Sequence, residues 1–162
     1  MVDKKDIVKI LESENIKFNL IEHETVYTMD DIEKLNLGNY GTEVKNLFIR
    51  DEKGKNHFLI IAKEDTKIDM KELKNIINSS RLSFASEDRL KNYMNLTRGC
   101  VSPFGILNND TKDVKVFIDN KLKGDMSIGV HPNENTATIF IATSDIEKII
   151  KEHGNLVEYI SF

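Results

Sequence analysis

The sequence predicts a mixed α+β domain built around one sheet. Helical and strand-like segments are interleaved along the whole chain. Two of the strand segments, "NLFIR" (Asn46–Arg50) and "HFLIIA" (His57–Ala62), flank "DEKGKN" with Gly54 in the turn, a hairpin signal. Interleaving together with hairpins argues for α+β and against a doubly wound parallel sheet. The chain has 162 residues, 40% of them hydrophobic and 31% charged, enough to bury a sizeable core and too apolar for disorder. With two prolines and eight glycines, no linker or repeat breaks it, so residues 1–162 read as a single domain.

In order along the chain, Ile7, Val8, Ile10 and Leu11 share one face of an amphipathic helix, capped by Asp3 with Asp6 in its first turn. "FNLIEH" (Phe18–His23) reads as a strand. A short helix starting at Thr28 or at Met29-Asp30-Asp31 runs through Leu35, and the hairpin follows. Asp69 and Glu72 have capping-box spacing, with Ile68 and Leu73 placed as a hydrophobic staple, so the next helix runs to about Asn78. "RLSFA" is a short strand, and Ser86-Glu87-Asp88 opens a helix to about Asn95. "VKVFID" alternates Val114, Val116 and Ile118 as a strand. "TATIFIA" (Thr136–Ala142) is apolar enough to be central. Ser144 with Glu147 is a second capping box, for a helix that buries Ile146, Ile149 and Ile150 and stops at Gly154. "LVEYISF" is the final strand.

The net charge of −4 argues against a protein that coats nucleic acid, although a local patch suffices to touch a few phosphates. One cysteine excludes an internal disulfide and a multi-thiolate metal site. No N-terminal signal-like or long apolar run is present, which gives the expectation of a cytoplasmic protein that does not span a membrane.

The stretch "RGCVSPFG" (Arg98–Gly105) holds that cysteine, Cys100, and Ser102. Cys100 with His131 as base is one reading. Burial as a small packing residue is the other. Ser102 lacks a G-x-S-x-G elbow, and Pro103 after it cannot give the N–H that an oxyanion hole takes from that position. Gly99 lets the backbone approach a ligand, Pro103 stiffens the loop, and the N–H groups between them suit a carbonyl or oxyanion. An ordinary turn is the alternative. His131 precedes Pro132, which holds it extended, in a polar loop that includes Asn135 and feeds the apolar strand. Local sequence serves a solvated loop histidine equally well. Lys45 stands before "NLFIR", where a lysine can hold a phosphate or be merely solvated. His23, His57 and His153 are scattered without zinc spacing. His57 and His153 read as exposed, and the lysines at 63, 67, 71 and 74 as a solvated face.

Taken together, four segments in order resemble the prolyl-tRNA editing family, the YbaK-like or INS-type deacylases. They are "VKNLFIRD" (Val44–Asp51), "RLSFASEDRL" (Arg81–Leu90), the G-x-x-x-P loop in "GCVSPFGILNN" (Gly99–Asn109), and "HPNENTATI" (His131–Ile139). The likeness spans nearly the whole chain and is strongest to the freestanding enzymes acting on alanyl-tRNA(Pro). It implies a central mixed, largely antiparallel β-sheet flanked by helices. It also implies a trans-editing hydrolase that removes alanine wrongly attached to tRNA(Pro). Lys45 would contact the phosphate at the tRNA 3′ end. Gly99, Cys100, Val101, Ser102 and Pro103 would hold the aminoacyl carbonyl through backbone groups. His131 would shape and order the site, with Asn135 a further polar position. In such enzymes water is the nucleophile, assisted by a hydroxyl of the terminal adenosine, and neither a metal nor another cofactor is called for. Partners would be the tRNA(Pro) acceptor end and, transiently, prolyl-tRNA synthetase. Removal of cysteine from tRNA(Pro), or non-catalytic binding of charged tRNA, are the rival functions. Cys100 sits at an interior position of the loop where the family fixes no catalytic side chain.

Overall fold

The computed structural model describes residues 1–25 and 29–162. Helix α1 (Lys4–Ser13) begins at the expected cap, where Asp3 and Asp6 each accept the other's backbone N–H at 2.9 and 3.1 Å. Ile7 and Leu11 of its apolar face are fully buried. Strand β1 (Phe18–Glu22) follows, then helix α2 (Met29–Lys34). Thr28, one of its two expected starts, lies outside the described residues. The hairpin forms as read, though β2 (Thr42–Arg50) starts four residues earlier than its apolar core suggested and pairs with β3 (His57–Lys63). Its turn is held by Asp51, whose carboxylate accepts the N–H groups of Lys55 and Asn56.

Helix α3 (Met70–Ile76), strand β4 (Ser83–Phe84), helix α4 (Glu87–Met94) and strand β5 (Val114–Asp119) come next. Asp69 caps α3 through the N–H of Lys71, not that of Glu72. Strand β6 (Ile128–Val130), which the sequence did not announce, precedes β7 (Ala137–Ile141), α5 (Thr143–His153) and β8 (Val157–Ile160). The capping box expected at Ser144 and Glu147 is not what starts α5. The helix begins two residues sooner, with Ala142 as its cap residue, and the N–H of Thr143 donates to the backbone oxygen of Asp125 at 3.0 Å. A partner distant in sequence replaces the local side-chain cap.

The strands form one mixed sheet in the order β1-β7-β6-β2-β3-β5-β8, with β4 also beside β2. Antiparallel pairing joins β1 to β7, β6 to β7, and β2 to both β3 and β4. Parallel pairing joins β2 to β6, β3 to β5, and β5 to β8. Both faces are covered. Leu59 and Ile61 of β3 pack with α1, α4 and α5, while Phe58, Ile60 and Ala62 pack toward Leu73 of α3. Burial on both faces explains why β3 reads as an unbroken apolar run.

One irregularity in the sheet sets up the functional site. On the edge of β2 away from β3, Thr42 and Glu43 pair with β6, and Ile49 and Arg50 pair with β4. Among the described residues, residues 44–48 lie between these pairings without a partner strand on that edge. The Asp51 N–H donates to Asn56 O and Glu43 O accepts the Glu64 N–H on the β3 side, while the Thr42 N–H donates to Ser127 O and Phe48 O accepts the Ala85 N–H on the other, which fixes the alternation. The N–H and C=O of Asn46 therefore face the gap.

His57 corrects the sequence reading: it is buried, not exposed. Helix α4 lays Tyr93 on its ring at a centroid distance of 3.8 Å, and Phe48 packs beside both rings, 5.6 Å from His57 and 6.4 Å from Tyr93. Arg89 donates to Nε2 at 3.1 Å. That bond requires a neutral ring, since a protonated imidazole has no acceptor. Burial, and then the Arg89 charge, hold the His57 pKa below 6.5. His153, also expected exposed, is half-buried, with Nδ1 against Asn155 Oδ1 at 2.7 Å.

The buried His57 predicts a pH dependence of stability. The folded chain resists protonating this ring, whereas the unfolded chain takes up the proton near 6.5. The unfolded state then binds more protons, so stability falls as the pH drops below that value. Urea unfolding midpoints should be lower at pH 5.5 than at pH 7.5, with a smaller difference in His57→Gln. Equal midpoints at both pH values would show that the ring is not held neutral.

Candidate active site

The Gly99–Pro103 loop leaves α4 through a left-handed Asn95 and a tight turn in which the Cys100 N–H donates to Thr97 O at 3.1 Å. Gly99 has φ +86°, a conformation side chains other than glycine's disfavour. Beyond it the chain is pinned. Ser102 is fully buried, and its hydroxyl accepts the Phe104 N–H at 3.1 Å while donating to the backbone oxygen of His131. Pro103 then opens a 3-10 helix, Pro103–Asn108, at the position where its missing N–H does no harm. Asn133 adds a second tie, donating to Val2 O at 3.0 Å and to Phe104 O at 3.4 Å. The proline loop and the histidine loop are thus fastened to each other.

Between them, against the open middle of β2, lies a cleft of about 230 Å³ lined by Val44, Asn46, Gly99, Val101, Gly129, Val130 and His131. Gly129 is needed for this shape, because a Cβ there would meet the Phe140 ring at 2.9 Å. His131 donates from Nδ1 to Ala137 O at 3.0 Å. The carbonyl can only accept, so in the neutral ring Nε2 is the acceptor. Burial, reinforced by the charge of His23, keeps the His131 pKa below 6.5 against the pull of the Ala137 bond. The His23 ring stands edge-on at 6.5 Å and is itself held by Glu24 O and Thr138 Oγ1.

Of the residues singled out from sequence, Gly99, Val101 and His131 meet in this cleft. Ser102 and Pro103 lie beneath it as buried anchors, and Ser102 has its hydroxyl engaged by protein. Cys100 is half-buried and is not part of the lining, and its N–H is already taken by Thr97. Among the described residues, the N–H groups of Gly99, Val101 and Ser102 have no protein acceptor. Asn135 is half-buried in the histidine loop, outside the lining. Lys45 is half-buried on β2. Strand alternation turns it to the face opposite Val44 and Asn46, beside Ala62 in register. It makes no ion pair among the described residues.

Asn46 was missed. Its side-chain oxygen is buried without a hydrogen-bond partner among the described residues, and Asn46 lines the cleft. The signal was available as its alternation with Lys45, but a lysine beside it drew the functional reading. Among the described residues, no three His, Cys, Asp or Glu side chains are grouped to hold a metal ion.

A fixed pair of loops, unspent backbone donors and a neutral imidazole around a small cleft describe a site for polarising a carbonyl. The family profile of the aminoacyl-tRNA editing domain matches residues 23–149, a span that contains every residue of this cleft. The chain belongs to the aminoacyl-tRNA editing domain family, and it is an aminoacyl-tRNA deacylase, a hydrolase of the ester between amino acid and tRNA. It is 47% identical over 157 residues to the prolyl-tRNA editing protein ProX of Acetoanaerobium sticklandii, covering 97% of this chain and 96% of that one. The human prolyl-tRNA synthetase associated domain-containing protein 1, a provisional assignment, is 29% identical, over 86% of this chain and 85% of its own length. A crystal structure of a candidate trans-editing enzyme for prolyl-tRNA synthetase shares the fold. Its TM-score is 0.72 at 16% identity, over 98% of this chain and 96% of the other.

Proposed function

We propose that the protein edits tRNA(Pro) in trans, removing alanine, and that water attacks the ester without a protein nucleophile. The lining of the cleft carries this reading: among the described residues, it contains neither a hydroxyl nor a thiol side chain. Water adds to the ester carbonyl, and the N–H groups of Gly99 and Val101, both in the lining, receive the oxyanion. The neutral Nε2 of His131 orders the water or the neighbouring ribose hydroxyl. When the C–O bond breaks, the proton released by the water ends on the ribose oxygen. Val44, Val101 and Val130 are stiff at χ1 and give the cleft apolar walls against which a methyl group would pack.

The need for such a site follows from energetics. A pocket built for proline rejects the smaller alanine by only ~1–3 kcal/mol per missing methylene, so a second, size-excluding site is required. An editing role in trans would have the protein work in the cytoplasm, where the synthetase charges the tRNA. Initial rates on alanyl-, cysteinyl- and prolyl-tRNA(Pro) test the proposal. Fast hydrolysis of the alanyl ester alone is expected. Preference for the cysteinyl ester, or binding without hydrolysis, would overturn it.

Lys45 is assigned to a phosphate at the tRNA 3′ end, reached from the rim of the sheet by its long side chain. A hydrogen bond to a charged group is worth ~1.5–3 kcal/mol, so Lys45→Ala should lower kcat/KM by about 10- to 100-fold, chiefly through KM. A wild-type kcat/KM in a folded variant would remove the residue from the site.

A further inference from the structure

A second cleft of about 220 Å³ adjoins the first and shares two of its walls, Asn46 and Val101. Phe84 of β4, Ala85 after it, Glu87 of α4 and Arg98, just before Gly99, are among its other lining residues. Phe84 is 63% exposed, an unusual place for a phenyl ring at a cleft mouth. Arg98 reaches Glu87 at 3.1 Å with both side chains mostly in solvent, a pairing weak enough to be exchanged for another anion. The unpaired edge of β2 runs through the junction of the two clefts, and the unsatisfied Asn46 oxygen lies there too.

This proposal rests on the editing function given above. If the ester carbonyl sits at the Gly99 loop, the ribose that carries it is one bond away, and the base on that ribose must lie in a neighbouring space. We infer that the Phe84–Arg98 cleft is the subsite for the 3′-terminal purine nucleobase of the substrate. The base lies against the Phe84 ring, its polar edge faces the free backbone groups of β2, and Arg98 meets the adjoining phosphate. Stacking on an aromatic ring tolerates any base, whereas the donor and acceptor of a strand edge favour one that offers both. The protein would therefore take hold of the last nucleotide as well as the amino acid. An amino acid ester lacking the nucleoside would be a poor substrate for that reason.

The test uses two non-hydrolysable probes, 3′-alanylamido-3′-deoxyadenosine and the same amide on an abasic ribose, with binding measured by calorimetry. The parent protein should bind the adenosine amide about tenfold more tightly than the abasic one, in line with the contribution of one stacked base. In Phe84→Ala this advantage should shrink to within about twofold, with the abasic probe bound as before. Equal binding of the two probes by a parent that hydrolyses alanyl-tRNA(Pro) would overturn the subsite and leave the editing function standing. So would an undiminished advantage in Phe84→Ala. A parent that binds neither probe and hydrolyses no aminoacyl-tRNA(Pro) would overturn both.

Discussion

Gly99→Val is expected to lower alanyl-tRNA(Pro) deacylation on the order of 100-fold, the loss associated with removing an oxyanion donor, while Cys100→Ala keeps most of the activity. The two residues are neighbours with opposite roles. Gly99 lines the cleft at φ +86°, and a Cβ built on it meets nothing within 4 Å. Replacement therefore causes no clash inside the protein. A β-branched residue instead drives the backbone out of the left-handed region or pushes its methyls into the space the substrate needs. Either outcome moves the N–H groups of Gly99 and Val101 from the position the oxyanion takes. Cys100 is absent from the lining, and its N–H is bonded to Thr97. A thiolate nucleophile needs a nearby base or positive field. The one imidazole in the cleft, His131, shares it with Gly99 and Val101 and not with the thiol. Single-turnover rates, with thermal unfolding to confirm that both variants fold, decide the matter. An inactive Cys100→Ala beside an active Gly99→Val would reverse the assignment. Loss of parent activity on alkylating Cys100, with the cleft still open to substrate, would do the same.

Elements with local chemical signals were legible in the sequence. The α1 cap, the β2–β3 hairpin and the Ser86 cap each depend on residues close together in the chain, and each formed where it was read. What was illegible depends on partners far away. Three residues, Ile128–Val130, are too few to show a period, and they become a strand only because β2 and β7 flank them. The start of α5 is set by Asp125 and not by its own side chains. His57 follows the charged turn "DEKGKN" and looked solvated, but α4 closes over it with Tyr93 and Arg89. The site shows the same division. The Gly99 and His131 loops could be picked out as segments, whereas their bond through Ser102 and the orphan oxygen of Asn46 required the fold.

His131→Ala should reduce deacylation by about 10²-fold, the lower end of what a positioned acid–base group contributes, without creating or removing a covalent intermediate. The ring is oriented by Ala137, which leaves Nε2 as the acceptor in the cleft, and its pKa is depressed chiefly by burial. The signs follow from that. Above the ordinary value of 6.5 the imidazole is neutral and Nε2 can accept from water or a ribose hydroxyl. Because the folded pKa lies below 6.5, activity persists somewhat under that pH and is lost only when the ring takes a proton and Nε2 becomes a donor. The parent rate, corrected for spontaneous ester hydrolysis, should thus be level near pH 7 and fall on the acid side, with the limb displaced below 6.5. In His131→Ala the rate should be low throughout and the acid limb absent. His131→Gln, whose side-chain amide also carries an acceptor, should regain part of the rate but not the limb, which separates ordering of the water from proton transfer. Rapid quenching should trap no aminoacyl-protein in the parent or either variant. A trapped acyl-enzyme, or an acid limb that survives in His131→Ala, would show that another group in the site titrates and attacks.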